Sequence, residues 1–171
     1  MKRLFSRGQP LPRPVREAVT GRVLASAESA DGTWLVGTRD ALVVVPPGTG
    51  EKDVLAWERV QRADWDVDTS KLTVERVEEF GTPVVPMVFE VAAPGPFLQL
   101  LRERVSASIV VQKRVVLGRK RGLTVIGRRP PSGDGEVTWA YELDKGVDPA
   151  DPTVLAAAEE GLREARESLG F

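Results

Sequence analysis

The chain has 171 residues, 42% of them apolar and 29% charged, with a net charge of -1. That composition suits one domain of moderate size or two small ones and excludes global disorder. It contains no Cys and no His, which excludes disulfides, thiolate nucleophiles, iron–sulfur clusters, Cys/His zinc sites and His-dependent catalytic triads.

The chemistry still open would use paired carboxylates, a lysine or a carboxylate-bound Mg²⁺. A non-catalytic protein with no cofactor is therefore expected. No apolar run reaches signal-peptide length, and none approaches the ~18 residues of a spanning helix, so a cytoplasmic location is expected. The excess of Arg over Lys, 18 to 6, suggests a GC-rich genome and says little about function.

Residues 1–19 are expected to be a flexible, basic arm. Pro10, Pro12 and Pro14 sit there among Lys2, Arg3, Arg7 and Arg13, with at most one helical turn over Pro14–Val19. Strands are expected at Arg22–Ala27, Trp34–Thr38 and Ala41–Val45. A tight hairpin at Arg39-Asp40 joins the last two, although such turns usually contain Gly. Asp53–Asp68 alternates loosely, with Trp57, Val60, Ala63, Trp65 and Val67 facing inward and a bulge near Glu58-Arg59. Leu72–Val77 and Pro86–Val91 complete a first group of strands. The period then changes: Phe97, Leu98, Leu100, Leu101 and Val105 fall at helical spacing, predicting a helix over about 96–107.

Ile109–Leu117 and Leu123–Ile126 read as a hairpin with a five-residue basic connection, Gly118-Arg119-Lys120-Arg121-Gly122. Glu136–Leu143 is a last strand. The C-terminus predicts a helix with Asp151 as N-cap, Pro152 in the first turn and Gly170 past the end. Leu155, Ala158, Leu162, Ala165 and Leu169 form its apolar stripe. Strands, helix, strands, helix in this order argue for an α+β fold rather than a parallel, doubly wound sheet.

Residues 20–108 resemble the bacterial PH-like (pleckstrin-homology or GRAM-like) domains. The segments carrying the resemblance are Trp34–Val45, Leu55–Val60, Val88–Val91 and the helix Phe97–Val105. The resemblance implies an antiparallel split β-barrel with a capping helix, and binding of headgroups, membranes or peptides without catalysis. Residues 109–171 then form a β-β-β-α extension. Lipid-binding members place basic residues in the loop between their first two strands. Here the candidate loops are acidic (Glu28–Gly32) or neutral (Arg39-Asp40), so a protein partner is expected ahead of a lipid.

Two charge features stand out. Asp64, Asp66 and Asp68 alternate along one strand, with Glu75 placed as in a calcium loop, but Thr69 stands where that loop needs Gly. Their plain reading is the wet face of a strand; a Mg²⁺-dependent enzyme built on them is the remote alternative. Residues 93–131 hold nine basic residues and one acidic, whereas 31–92 carry a net -6 and 132–171 a net -7. Lys113, Arg114, Arg119, Lys120, Arg121, Arg128 and Arg129 are thus the candidate anion- or partner-binding residues. They could meet an acidic protein surface. They could equally meet phosphates of nucleic acid or anionic lipid, or be offset by the acidic C-terminal helix.

Overall fold

The computed structural model describes residues 10–48 and 50–171. The element order is α1 (Arg13–Ala18), β1 (Ala25–Glu28), β2 (Trp34–Gly37), β3 (Ala41–Val45), β4 (Asp53–Ala56), β5 (Val60–Asp66), β6 (Lys71–Arg76), β7 (Met87–Glu90), α2 (Gly95–Ala107), β8 (Ile109–Gly118), β9 (Arg121–Arg128), β10 (Thr138–Leu143) and α3 (Pro152–Ser168). The fold is α+β. Among the described residues the strands form three antiparallel sheets, β1-β2-β3-β4, β5-β6-β7 and β10-β9-β8, and no sheet closes into a barrel. Among the described residues no helix is long and apolar enough to cross a membrane.

Every residue of β2 and β3 is buried, because both faces of the first sheet are covered. One face carries Leu35, Leu42, Val44 and Leu55 into a core shared with Trp57, Leu72, Val74, Phe97 and Leu101. The other face, with Trp34, Val36, Val43 and Val45, is covered by Val15 and its neighbours. This corrects the expected flexible arm over residues 10–19: α1 packs on the sheet, while residues 1–9 lie outside the described residues.

The β2–β3 hairpin closes without glycine. The Thr38 amide donates to Ala41 O, and the Thr38 hydroxyl exchanges hydrogen bonds with the Ala41 backbone, so a side chain supplies the closure.

The segment read as one loosely alternating strand, 53–68, is two strands in different sheets. A 3₁₀ turn at Trp57–Arg59 carries the chain from the first sheet to the second. Trp57 fills the corner and is fully buried, with its indole N–H donating to Thr38 O at 3.1 Å. The ladder irregularity follows it, between Val60 and Arg62. Val67, expected inside, is 68% exposed because it lies in the β5–β6 turn rather than on the strand.

Helix α2 contributes Phe97, Leu98 and Leu101 to the shared core and packs on β1, β2 and β5. One residue, Ser108, then separates it from β8. The β8–β9 connection is shorter than expected: Arg119 and Lys120 alone form it, both at positive φ (46° and 63°), the geometry of a two-residue hairpin turn whose twist matches the strands.

Helix α3 starts as read, with the Asp151 carboxylate accepting from the Thr153 amide at 2.8 Å. Its buried face is rotated from the expected stripe. Val154, Ala158, Gly161 and Ala165 face β8 and β9, and Leu155 is 45% exposed. Gly161 explains the rotation. A Cβ there would stand 2.7 Å from Val115 Cγ2 and 3.0 Å from Val125 Cγ2, so the helix touches the sheet along its smallest residues.

Candidate functional site

The seven basic residues singled out from the sequence do not converge. Adjacent residues on a strand point to opposite faces, and here Lys113 and Arg114 part company. Lys113 turns toward α3 and pairs with Glu164. Arg114 turns to the other face and grips Asp144 with both terminal nitrogens, Nη1–Oδ1 being 3.0 Å. The same carboxylate accepts from the Gly122 amide at 2.8 Å. Those contacts, the Arg114 guanidinium first, hold the Asp144 carboxyl below the usual carboxylate range.

Arg128 is 2% exposed. Its Nη1 donates to Val105 O (3.0 Å) and Ser108 Oγ (2.8 Å), and its Nη2 to Gln61 O (2.8 Å). Burial lowers its pKa from the ordinary arginine value. The side chain is thus a strut between β5, the end of α2 and β9, closed off from any partner. Arg129 is partly buried beside it. Arg119, Lys120 and Arg121 stand exposed at the hairpin tip with no ion pair among the described residues, and Arg121 lies against Gly146 within the field of Asp144.

The carboxylates of the Asp64–Asp68 run are equally dispersed. Asp64 pairs with Arg62. Asp66 accepts from the amides of Asp68 and Thr69 (2.8 and 3.2 Å), which ties the β5–β6 turn and pulls its pKa down. Among the described residues no three acidic side chains are grouped as metal ligands.

What sequence reasoning missed is a cleft of about 480 Å³ where the two halves of the chain meet. One wall comes from β5, β6 and the loop after them (Arg62, Glu75, Glu78, Glu79). The other comes from β9, β10 and the segment beyond (Thr124, Glu142, Asp144). Phe80 and Tyr141 line it as an edge-to-face pair with centroids 5.1 Å apart, and Pro83, Val84 and Pro149 add apolar lining. Phe80 reaches it because the β6–β7 loop lies against the second half, where Phe80 joins the α3 core cluster. Gln61 Nε2 donates to Tyr141 O at 3.2 Å beside it. Burial raises the Tyr141 phenol.

The cleft is acidic in a way that no single segment discloses. Arg62 and Asp144 are each neutralised by a partner, Asp64 and Arg114. Glu75, Glu78, Glu79 and Glu142 have no ion pair among the described residues, although Glu75 and Glu142 lie within the field of Arg62. The two acidic stretches of the sequence therefore face each other across an aromatic floor. The only signal that could have found it is the pairing of two acidic segments, and sequence does not show that they are neighbours in space.

No family model, curated protein or solved structure matches the chain.

Proposed function

We propose that this chain is a non-catalytic, intracellular binding module that recognises a basic segment of another protein in the cleft between its two halves. The single observation that carries the reading is the cleft itself: four carboxylates with no ion pair among the described residues, set around the Phe80–Tyr141 pair. Arginine and lysine are amphipathic, with apolar stems and cationic heads. Stems can lie against the aromatic rings, Pro83 and Val84 while heads reach the carboxylates, and arginine adds favourable stacking on Tyr or Phe.

The PH-like reading of residues 20–108 belongs to the same proposal. Support comes from a four-stranded and a three-stranded antiparallel sheet followed by a helix, in that chain order. The acidic Glu28–Gly32 loop and the enclosed Arg128 favour a protein over an anionic headgroup or nucleic acid. A chain without Cys also suits a reducing compartment.

The test uses a fluorescent eight-residue peptide of alternating Arg and Leu, with an equally long Glu-Leu peptide as control. The basic peptide is expected to bind the wild type and to lose at least about tenfold in affinity, ~1.4 kcal/mol, when Glu75, Glu78, Glu79 and Glu142 become Gln. Equal affinity for wild type and variant would sink the cleft. Binding of RNA or anionic vesicles that vanishes when Arg119, Lys120 and Arg121 become Ala would replace this reading with phosphate recognition at the hairpin tip.

A further inference from the structure

The longest strand of the protein, β8, has ten residues and lies at the edge of its sheet. Among the described residues only β9 pairs with it. An edge of this length is a template for another strand unless it is covered or broken. Irregularities occur near both ends of β8, between Ile109 and Val111 and between Val116 and Gly118, and they leave a regular stretch between.

The direction of its backbone groups follows from β9. The Asp144 amide donates to Gly122 O, and the Gly122 amide donates to the Asp144 carboxylate, so Gly122 aims its backbone groups away from β8. Alternation then aims those of Leu123 and Val125 at β8, where they meet Val115 and Lys113. The backbone groups of Gln112 and Arg114 consequently point outward, to the free edge. The side chains of even-numbered residues in β8 share one exposed face. On it Val110 is 39% and Val116 70% exposed.

We propose that β8 pairs antiparallel with β8 of a second copy about a two-fold axis at Lys113, fusing two three-stranded sheets into one of six. The strand is self-complementary in that register. Val110 falls opposite Val116 of the partner copy on the exposed face, and Gln112 opposite Arg114, the latter as hydrogen-bonded pairs that use the outward backbone groups. Moving the axis to Gln112 places Val110 opposite Arg114. Moving it to Arg114 places two arginines opposite each other, which is destabilising. At the chosen axis the two Lys113 side chains meet on the α3 face, where each is already neutralised by Glu164. Helix α3 lies over β8 and β9, with Arg166 over Trp139 of β10 on one side and Glu164 over Lys113 on the other. The two α3 helices therefore approach each other along their Glu164 flanks. The dimer contact lies away from the acidic cleft and stands independently of what the cleft binds.

Sedimentation equilibrium of the full chain at tens of micromolar is expected to give twice the 18.6 kDa of one chain. The double variant Val110→Lys, Val116→Lys changes only exposed side chains. It is expected to keep the circular dichroism of the wild type and to sediment at the monomer mass. The chain has no native cysteine, so the register can be read by cross-linking. Lys113→Cys is expected to form a covalent dimer under mild oxidation, because its two copies face each other, whereas Val110→Cys, opposite position 116, is not. A monomeric wild type overturns the proposal, as does a dimer untouched by the two lysines. Cross-linking of Val110→Cys as efficient as that of Lys113→Cys overturns the register.

Discussion

The two halves of the molecule are held together by different means. Residues 25–107 bury large side chains in a shared core: Trp57, Phe97, Leu35, Leu42, Leu72 and Leu101 are each fully buried. In residues 109–171 the buried apolar residues of the α3 cluster are few and mostly small, namely Leu123, Val125, Val154, Ala158 and Ala165. That half relies on the close approach of a small-faced helix, on ion pairs reaching across from β8, and on two loans from its neighbour. Phe80 enters its core, and Arg128 is satisfied largely by carbonyls of the first half. The second half is therefore expected to depend on the first more than the reverse.

The largest effect should come from the corner of the first half. Trp57→Ala removes a fully buried indole and its hydrogen bond to Thr38 O. A loss of about 3–5 kcal/mol in urea unfolding is expected, with both halves unfolding together. If amide exchange shows the second half intact while the first has opened, the stated dependence is wrong.

The next largest should come from the strut. Arg128→Met keeps an unbranched side chain but leaves Gln61 O, Val105 O and Ser108 Oγ without their guanidinium donor. Each buried acceptor left unsatisfied costs about 1–3 kcal/mol, and Val105 O retains the Ser108 hydroxyl as a donor. A total loss near 3 kcal/mol is expected. The asymmetry should also show locally: faster amide exchange in β9 and β10 with β2 and β3 unchanged. A variant as stable as the wild type would mean that Arg128 spans the halves without joining them.

The same contrast explains what could be read from sequence. Local signals located nearly all the strands, the α2 region and the start of α3, because period-two alternation, the Asp151-Pro152 pair and the Gly breaks act within a few residues. Misreadings occurred where long-range packing overrode the local pattern. Val67 alternates correctly with Trp65 but lies past the end of the sheet. Leu155 belongs to a plausible stripe, yet Gly161 sets which face of α3 can approach β8 and β9. The site was least legible. The charge asymmetry between segments was visible, but the eye falls on the densest run of charge, Lys113 to Arg129. Those side chains lie on both faces of a sheet, and one is enclosed. The cleft instead joins Glu75, Glu78 and Glu79 to Glu142, more than sixty residues away in the chain, a juxtaposition that only the packing of the halves creates.

The smallest effect tests whether the ion pairs of the second half contribute to its order. Asp144 accepts from Arg114 and from the Gly122 amide next to the β8–β9 turn, and these contacts hold its pKa below the ordinary 3.8. A carboxyl depressed on folding binds its proton more weakly in the folded chain than in the unfolded one. Its contribution is therefore fully present above the unfolded value and is lost as pH falls through the lowered folded value. At neutral pH the wild type should hold the turn better than Asp144→Asn, which still offers Gly122 an acceptor but not Arg114 a charge. On acidification the two should converge. Amide exchange at Gly122 and Leu123, followed from pH 6 to pH 2 in both proteins, reads this directly. A carboxyl titration of Asp144 centred at the ordinary value, with no difference in exchange between the two proteins, would show the Arg114 pair to be a surface contact without structural consequence. The second half would then rest on α3 packing and the Arg128 strut alone.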